Sequence, residues 1–293
     1  ICLNHAFAEN GYLLEIEKNY KFNKTLIIYN YFTKNLRDKI LNNKNTIKLK
    51  ENSEIHIIEY TINESKFKFI NNTYEDITLE KNSKLKSLCI QKNKSEGFFH
   101  KFVKSKLFHD SNYTNFIFSS GLKFNKIDLE CDLVGENSIC KILSGIFLNQ
   151  NEHQEIKTRI NHLVPDCKSY QTVKKVLNSE SKGIFQGKIY VKDVAQKTDA
   201  YQLSKALLLQ DNAEFNSKPE LEIYADDVKC SHGSTSGSID EDSLYYLMTR
   251  GLSREESTKL LIKGFLNDVV DLIKSPVIKK FIENKLEGQL NEY

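Results

Sequence analysis

Several residue types that shape or identify protein folds are absent or scarce in this sequence. Of its 293 residues none is tryptophan, three are proline and one, Met248, is methionine. Because proline cannot donate the backbone hydrogen bond that a central strand needs, its scarcity leaves long extended segments uninterrupted. The chain begins at Ile1 and not at methionine, so we expect it to be a fragment or a processed form.

The six cysteines form no Cys-x-x-Cys pair, which argues against a zinc ribbon or a thioredoxin-like site. A chain of this length can bury a core without disulfides, so the sequence predicts reduced thiols and a cytoplasmic location, or the plastid stroma in a plastid-bearing eukaryote. No apolar run approaches the roughly 18 residues that a transmembrane helix needs, and no membrane association is predicted. The net charge of +3 gives no electrostatic reason to expect nucleic acid as a partner.

The motifs of common enzyme classes are missing as well. Residues 183–188 (GIFQGK) resemble a phosphate-binding loop, but they have one residue too few between the glycines, and Ile189 stands where a magnesium-binding hydroxyl is required. No Gly-x-Ser-x-Gly, His-Glu-x-x-His or Gly-x-Gly-x-x-Gly sequence occurs. The adjacent carboxylates Asp226 and Asp227 would point to opposite faces of a strand, so they are interpreted as a solvated turn. The sequence therefore predicts a protein that is not an enzyme.

What the sequence does contain is a long region of strand-like alternation, up to about residue 232. In the clearest example, residues 127–133, apolar side chains alternate with acidic ones, as expected for a half-buried strand. Asparagine recurs at the corners between such segments, in the dipeptides Asn52-Ser53, Asn82-Ser83, Asn137-Ser138 and Asn212-Ala213. Because asparagine adopts left-handed backbone angles at little cost, this pattern suits a stacked β-solenoid, and a β-sandwich explains it equally well.

The pattern becomes helical from Ser238 onwards. The segments SIDE (238–241) and SREE (253–256) have the form of capping boxes, and Gly251 lies where the first of two helices would end. Pro276 ends the second helix, and residues 277–290 are predicted to form a last short helix. We therefore divide the chain into a β body, residues 1–236, and a helical domain, residues 237–293. The second helix is predicted to carry its apolar face on Leu260, Leu261, Phe265, Val269 and Leu272.

Two segments carry residues with chemical or binding potential. Cys230 and His232 are two positions apart, so on a strand their side chains share a face, and thiolate with imidazole suits iron or zinc. Two ligands are too few for a closed site, and residue chemistry alone favours a buried stripe of Val228, Cys230 and a satisfied histidine. The apolar run 244–248, which includes Tyr245, Leu247 and Met248, is equally consistent with internal packing and with a partner-binding surface.

Longer motifs occupy the second half of the chain, within residues 159–265. They read HLVPDCKSYQTVK (162–174), GIFQGKIYV (183–191), AQKTDAYQ (195–202), KPELEIYADDVKCSHGST (218–235) and LYYLMTRGLS (244–253). Together they resemble the SufB/SufD family of the SUF system for iron–sulfur cluster assembly. The opening segment, residues 3–14, is similar to the start of the family's β domain, and residues 20–155 match it in style only. The resemblance implies a mainly β fold, a right-handed parallel β-helix with a C-terminal α-helical domain.

Within this family the sequence is most like the SufD branch. In SufB a cysteine heads the run Cys-Asp-Ser-Leu-Leu, and the same register here reads SKALL from Ser204. SufB also has His-Glu-Ala-Thr where this chain has HGST from His232. The histidine of the SufD form is the residue proposed to act at the cluster-assembly interface. The resemblance therefore implies His232 as an interface residue and candidate transient metal ligand, with Cys230 beside it.

The resemblance also implies partners. SufB and SufD pair through their β-helices, and each offers its C-terminal helices to a subunit of SufC, an ABC-type ATPase. A nascent iron–sulfur cluster forms transiently at the SufB–SufD interface, and no tightly bound cofactor is expected. This implies a non-catalytic scaffold that pairs with a SufB-like paralogue, or with itself when alone. The tail is expected to dock the ATPase through Tyr245, Leu247 and Met248.

Two alternatives remain at this stage. The first is the SufB paralogue, which Ser204 disfavours. The second is a carbohydrate-active β-helix protein such as a polysaccharide lyase, which needs convergent carboxylates or basic residues in a groove. The predicted reduced thiols and the capped helical tail fit that class poorly.

Overall fold

The computed structural model describes residues 2–291, and their side chains apart from those of residues 3, 92 and 93. The strands are β1 Leu13–Ile16, β2 Lys21–Phe32, β3 Ile40–Leu49, β4 Glu54–Asn63, β5 Ile70–Leu79, β6 Lys84–Leu107, β7 Asn112–Leu133, β8 Ile139–Leu148, β9 His153–His162, β10 Lys168–Leu177, β11 Lys182–Val191, β12 Thr198–Leu208, β13 Glu214–Ile223 and β14 Val228–Ser238. The helices are α1 Cys2–Phe7, α2 Glu241–Thr249, α3 Arg254–Val270 and α4 Pro276–Leu290.

The strands stack in parallel as a β-solenoid of about 8 turns. One side of each coil joins the stack β1-β3-β5-β6-β7-β9-β11-β13, and the other joins β2-β4-β6-β7-β8-β10-β12-β14. The long strands β6 and β7 contribute to both sides. All strand pairs within residues 2–291 are parallel, which confirms the predicted parallel β-helix and rules out the β-sandwich.

Asparagine corners are confirmed at three of the four predicted positions. Asn52, Asn82 and Asn137 have φ angles of 60°, 56° and 59°, in the left-handed region that asparagine tolerates. The amide of Asn82 donates to Asn52 at 2.8 Å, and that of Asn52 donates to Asn19 at 2.9 Å, so the corners are bonded to one another along the stack. Asn212 also lies in a turn, between β12 and β13, but without the left-handed backbone angle, and its amide donates to Ser179.

The core lies inside the solenoid, where equivalent positions of successive coils form columns of buried side chains. One such column consists of Leu49, Leu79, Leu107 and Leu133, all fully buried and aligned by strand register. The alternating segment 127–133 lies in β7, and its apolar residues face this interior as predicted. A residue thus owes its burial to its counterparts in the neighbouring coils.

Helices occur at both ends of the chain, which differs in part from the predicted β body over residues 1–236. The opening segment was expected to belong to the β body, but α1 forms there and packs on β3 and β5. The Asn4 side chain donates to the backbone carbonyls of Asn43 at 3.0 Å and Asn72 at 2.9 Å. A side-chain amide that satisfies carbonyls of two neighbouring strands explains why this short helix is held at the sheet.

The C-terminal helices are confirmed, with two corrections of detail. Ser238 is not a helix cap, because its backbone pairs with β12 as the last residue of β14, and Asp240 caps α2 instead by accepting from Ser243 N at 2.9 Å. The predicted capping box at Ser253 and Glu256 is present, and Gly251 follows α2 with φ of 96°. The division into domains at residues 236 and 237 stays a prediction.

The apolar face of α3 is confirmed at Val269 and in part at Phe265, but elsewhere it is turned relative to the prediction. Its buried apolar residues are Ile262, Leu266, Val269 and Val270, whereas Leu260 and Leu272 are exposed. The reason is the direction from which the sheet approaches: α3 lies on the outer face of β8 and β10, where apolar side chains such as Phe147 and Val176 cover it. None of the described helices is long and apolar enough to cross a membrane.

Candidate functional site

Cys230 and His232 lie on β14, in the last coil of the solenoid. This coil consists of β13, which pairs with β11, and β14, which pairs with β12. Among residues 2–291 no strand pairs with the other edge of β13 or β14. We call this end of the solenoid the open end. Unpaired strand edges present backbone donors and acceptors that a further strand can use.

The side chains of Cys230 and His232 share a face, as predicted, and that face is the inner one. In the register with β12, Cys230 is opposite Ala200 and His232 is opposite Gln202, and both β12 residues are fully buried inside the solenoid. Cys230 is half-buried against the small apolar cluster that includes Ile189 and Val191, whereas His232 is exposed. The hypothesis of a buried stripe is therefore wrong for His232, because no further described coil covers the open end.

The two side chains differ in their electrostatic environment. Burial raises the pKa of the Cys230 thiol, and the nearby Asp199 carboxylate adds to this, while a backbone hydrogen bond with Ala200 opposes it. At neutral pH the thiol is therefore protonated, and it must lose its proton before it binds a metal. His232 is exposed, so its imidazole is open to an approaching metal. Of the pair, His232 is the more readily available donor.

The pair supplies two donor atoms, whereas a tetrahedral metal site has four ligands. No group of three or more histidine, cysteine or acidic side chains in the described part of the chain is arranged to hold a metal ion. A metal or cluster bound here would therefore need further ligands from outside the described residues.

Ser204, which stands where SufB-type sequences have cysteine, is fully buried on the inner face of β12, opposite Ser234 of β14. It lies two residues along the strand from Gln202, so it belongs to the same inner surface beneath the open end. A hydroxyl at this position cannot act as a thiolate ligand or sulfur nucleophile.

The run 244–248 divides between packing and exposure. Leu244 is 2% exposed and anchors α2, and Leu247 is half-buried. Tyr245 is 71% exposed and Met248 is 39% exposed, on a helix whose described contacts are mainly with α3. The helix therefore offers an aromatic and a thioether side chain to solvent, which are residue types enriched in protein interfaces.

Two other motifs are now explained. The GIFQGK segment lies within β11 and not in a loop, and its Lys188 forms an ion pair with Glu222 on the outer surface. Asp226 and Asp227 are exposed in the turn between β13 and β14, as predicted. The first segment is thus part of a regular strand and the second is a surface turn.

Sequence reasoning missed the buried polar residues beneath the open end. Gln171 and Gln202 are fully buried on the inner faces of β10 and β12, as is Lys175, whose amine donates to the carbonyls of Gln154 and Ile184. Their alternation with outward-facing residues was visible in the sequence, but polar residues in a strand are ordinarily read as solvent-facing.

Comparison with known proteins places the chain in one family. The model of the SufBD core domain, described as SUF system FeS cluster assembly, matches residues 31–265. The iron–sulfur cluster assembly protein SufD of Escherichia coli is 29% identical over 244 residues, which cover 83% of this chain and 57% of that protein. The chloroplastic protein ABCI7 of Arabidopsis thaliana is 28% identical over 244 residues, covering 83% of this chain and 51% of that protein. An iron–sulfur cluster assembly SufBD family protein of Pyrococcus horikoshii is 29% identical over 250 residues. The chain spans little more than half the length of each of these relatives.

Proposed function

Since this chain belongs to the SufBD core family of the SUF system for iron–sulfur cluster assembly, we propose that it is a SufD-type scaffold subunit in that process. The observation that carries the proposal is the exposed His232 at the open end, with Cys230 on the same inner face. An incoming partner strand at this end would bring its own ligands to the imidazole. The cluster is the cargo of this site and not a resident cofactor.

The SufD assignment is favoured over SufB by two features. Ser204 replaces the SufB-type cysteine on the inner face beneath the open end. The E. coli relative named SufD matches over most of this chain. In this proposal the chain holds a histidine at the interface, and a SufB-like paralogue supplies the thiolate.

The partners follow from the two exposed surfaces. A SufB-like chain would dock on the open end, where no described strand pairs with the outer edges of β13 and β14, and a second copy of this chain would use the same edges when the paralogue is absent. An ABC-type ATPase would dock on α2 through Tyr245, Leu247 and Met248, with Leu247 as the half-buried base of the contact. The chain itself would act without catalytic turnover.

Replacing His232 with alanine is expected to abolish most cluster assembly while leaving the melting temperature unchanged. An exposed imidazole contributes little to stability, whereas its loss removes a ligand. Cluster yield in the reconstituted complex and thermal melting are measured on the same preparation. Cys230→Ala is expected to reduce the yield less, and Ser231→Ala, on the opposite face of β14, is the matched control. Full cluster yield from His232→Ala would remove this residue from the mechanism.

A double change of Tyr245 and Met248 to serine is expected to weaken ATPase binding at least tenfold, the factor that corresponds to about 1.4 kcal/mol. Point changes are preferable to truncation at residue 237, because removal of α3 and α4 would expose Leu88, Phe116 and other apolar residues of the sheet. Tyr20→Ser, which changes an exposed tyrosine in the first coil, is the control. An unchanged dissociation constant, measured by calorimetry, would place the docking site elsewhere.

A further inference from the structure

A file of buried hydrogen-bonded side chains runs along the inner face towards the open end. The Thr158 hydroxyl donates to Gln171 Oε1 at 2.6 Å, and Gln171 Nε2 donates to Gln202 Oε1 at 3.3 Å. Gln202 Nε2 then donates to the backbone carbonyl of Gly187 at 3.3 Å. Gln171 and Gln202 are 0% exposed and Thr158 is 1% exposed, so water does not compete with these bonds.

The direction of this file is set by its last member. A backbone carbonyl can only accept, so the nitrogen of the Gln202 amide must face Gly187, and its oxygen must face Gln171. Gln171 must then present its nitrogen to Gln202 and its oxygen to Thr158. The orientation of the Gln202 amide is therefore determined by the Gly187 carbonyl, since the Thr158 hydroxyl at the other end can either donate or accept.

Gly187 also makes room for this amide. A Cβ atom at position 187 would lie 2.4 Å from Gln202 Oε1 and 2.7 Å from Gln202 Nε2, far inside contact distance. The second glycine of the GIFQGK segment thus leaves space for the side chain that it faces inside the solenoid. This gives the glycine a role that the rejected phosphate loop did not.

His232 is the next inner-facing residue above this amide. It pairs in register with Gln202, and same-face side chains of adjacent strands are about 4.8 Å apart. Gln202 Oε1 can accept a second hydrogen bond, because only one of its two lone pairs is used by Gln171. No hydrogen bond of the His232 ring occurs within the described residues, so its nitrogens are free to take this partner.

We propose that Gln202 is the positioning residue of His232, with Gln202 Oε1 accepting the N–H of the imidazole. This arrangement leaves the opposite ring nitrogen unprotonated and directed away from the interior, where a metal at the interface can bind it. Ligating histidines in proteins commonly donate their second N–H to a carbonyl in this way. The inference rests on the proposed function only for the identity of the metal or cluster that the free nitrogen binds.

The test is the tautomer ratio of His232, measured by two-dimensional ¹⁵N NMR of the imidazole nitrogens in the isolated protein at pH 8. The ratio is that of the tautomer whose N–H faces Gln202 to the other tautomer. In Gln202→Met this ratio is expected to fall about fivefold, the factor that a hydrogen bond of about 1 kcal/mol represents. Gln171→Met is the matched control, because it removes the same kind of buried amide one strand further away and leaves Gly187 to orient Gln202. It should lower the melting temperature similarly but leave the tautomer ratio within about twofold.

An unchanged ratio in Gln202→Met, or an equal change in Gln171→Met, would overturn the proposal. Gln202→Asn, which withdraws the amide by one methylene but keeps it buried, provides the same comparison if Gln202→Met fails to fold. The result is independent of cluster yield. A shifted tautomer ratio together with full yield from His232→Ala would retain the positioning role and reject the proposed function, and the converse pair of results would do the reverse.

Discussion

Replacing Lys101 with methionine is expected to lower the free energy of unfolding by about 3–5 kcal/mol at pH 7. The Lys101 ammonium lies inside the solenoid between the carboxylates of Glu59 and Glu75, with a distance of 3.1 Å to Glu75. The side chains of Lys101, Glu59 and Glu75 are 12%, 11% and 3% exposed. Glu59 also accepts a hydrogen bond from Asn30 at 2.6 Å. The substitution would leave two carboxylates facing each other without a cation.

The decrease in the free energy of unfolding caused by Lys101→Met should become smaller as the pH falls. Burial, and the negative charge of Glu59, already raise the pKa of Glu75 despite the attraction of Lys101. Without the lysine the pKa of Glu75 rises further, so the penalty is present above that pKa and is relieved as protonation neutralises this carboxyl. Urea unfolding at pH 7 and pH 5 measures both effects. Lys104→Met, which removes a half-exposed lysine on the outer face of the same strand, is the control and should change stability by less than about 0.5 kcal/mol. Equal losses in the two variants would contradict the assignment.

The second large effect concerns Lys175, whose removal should abolish a rise in stability between neutral and alkaline pH. Burial lowers the pKa of Lys175 from 10.5 to about 7. The unfolded chain therefore holds a proton on this amine at pH values where the folded chain has released it. Because the unfolded state binds more protons in this window, the destabilising contribution is full below about pH 7 and vanishes above 10.5.

Relative to Lys175→Met, the wild-type free energy of unfolding is expected to increase by about 3 kcal/mol between pH 7 and pH 9.5. Tyrosines and other lysines also titrate in this range, so the quantity of interest is the difference between the two pH profiles. Lys168→Met, on the same strand but exposed, should retain the wild-type slope. Parallel profiles for wild type and Lys175→Met would show that Lys175 keeps its proton in the folded state.

Part of the candidate site could be predicted from the sequence. The spacing of Cys230 and His232 predicts a shared face whatever sheet contains them, because alternate side chains of a strand point the same way. Whether that face was the inner one, and whether it was covered, depended on the neighbouring coils. The same residue type thus has opposite environments at two places: His162 is fully buried, accepts or donates to Ser169 at 2.9 Å and has its pKa lowered to about 4 by burial, whereas His232 is exposed.

The failed details of the helical tail have a similar origin. The capping box at Ser253 was predicted correctly, because all of its bonds lie within four residues. The cap at Ser238 and the apolar face of α3 were not, because a strand claimed Ser238 and the sheet met α3 from a different side. Local rules succeed where the partners are close in the chain and fail where a distant strand competes for the same group.

By itself, the sequence determined the alternating strands, most of the asparagine corners, the helical tail and the family, since each depends on residues close together in the chain or on motifs of fixed order. Only the tertiary structure decided which residues share a column inside the solenoid. The file from Thr158 to Gln202, the ion cluster around Lys101 and the position of His232 above Gln202 all join residues from different coils. Coil length varies along the chain, so no fixed repeat in the sequence states these neighbours. They follow from backbone register, which is established only when the coils stack and bury their inner faces.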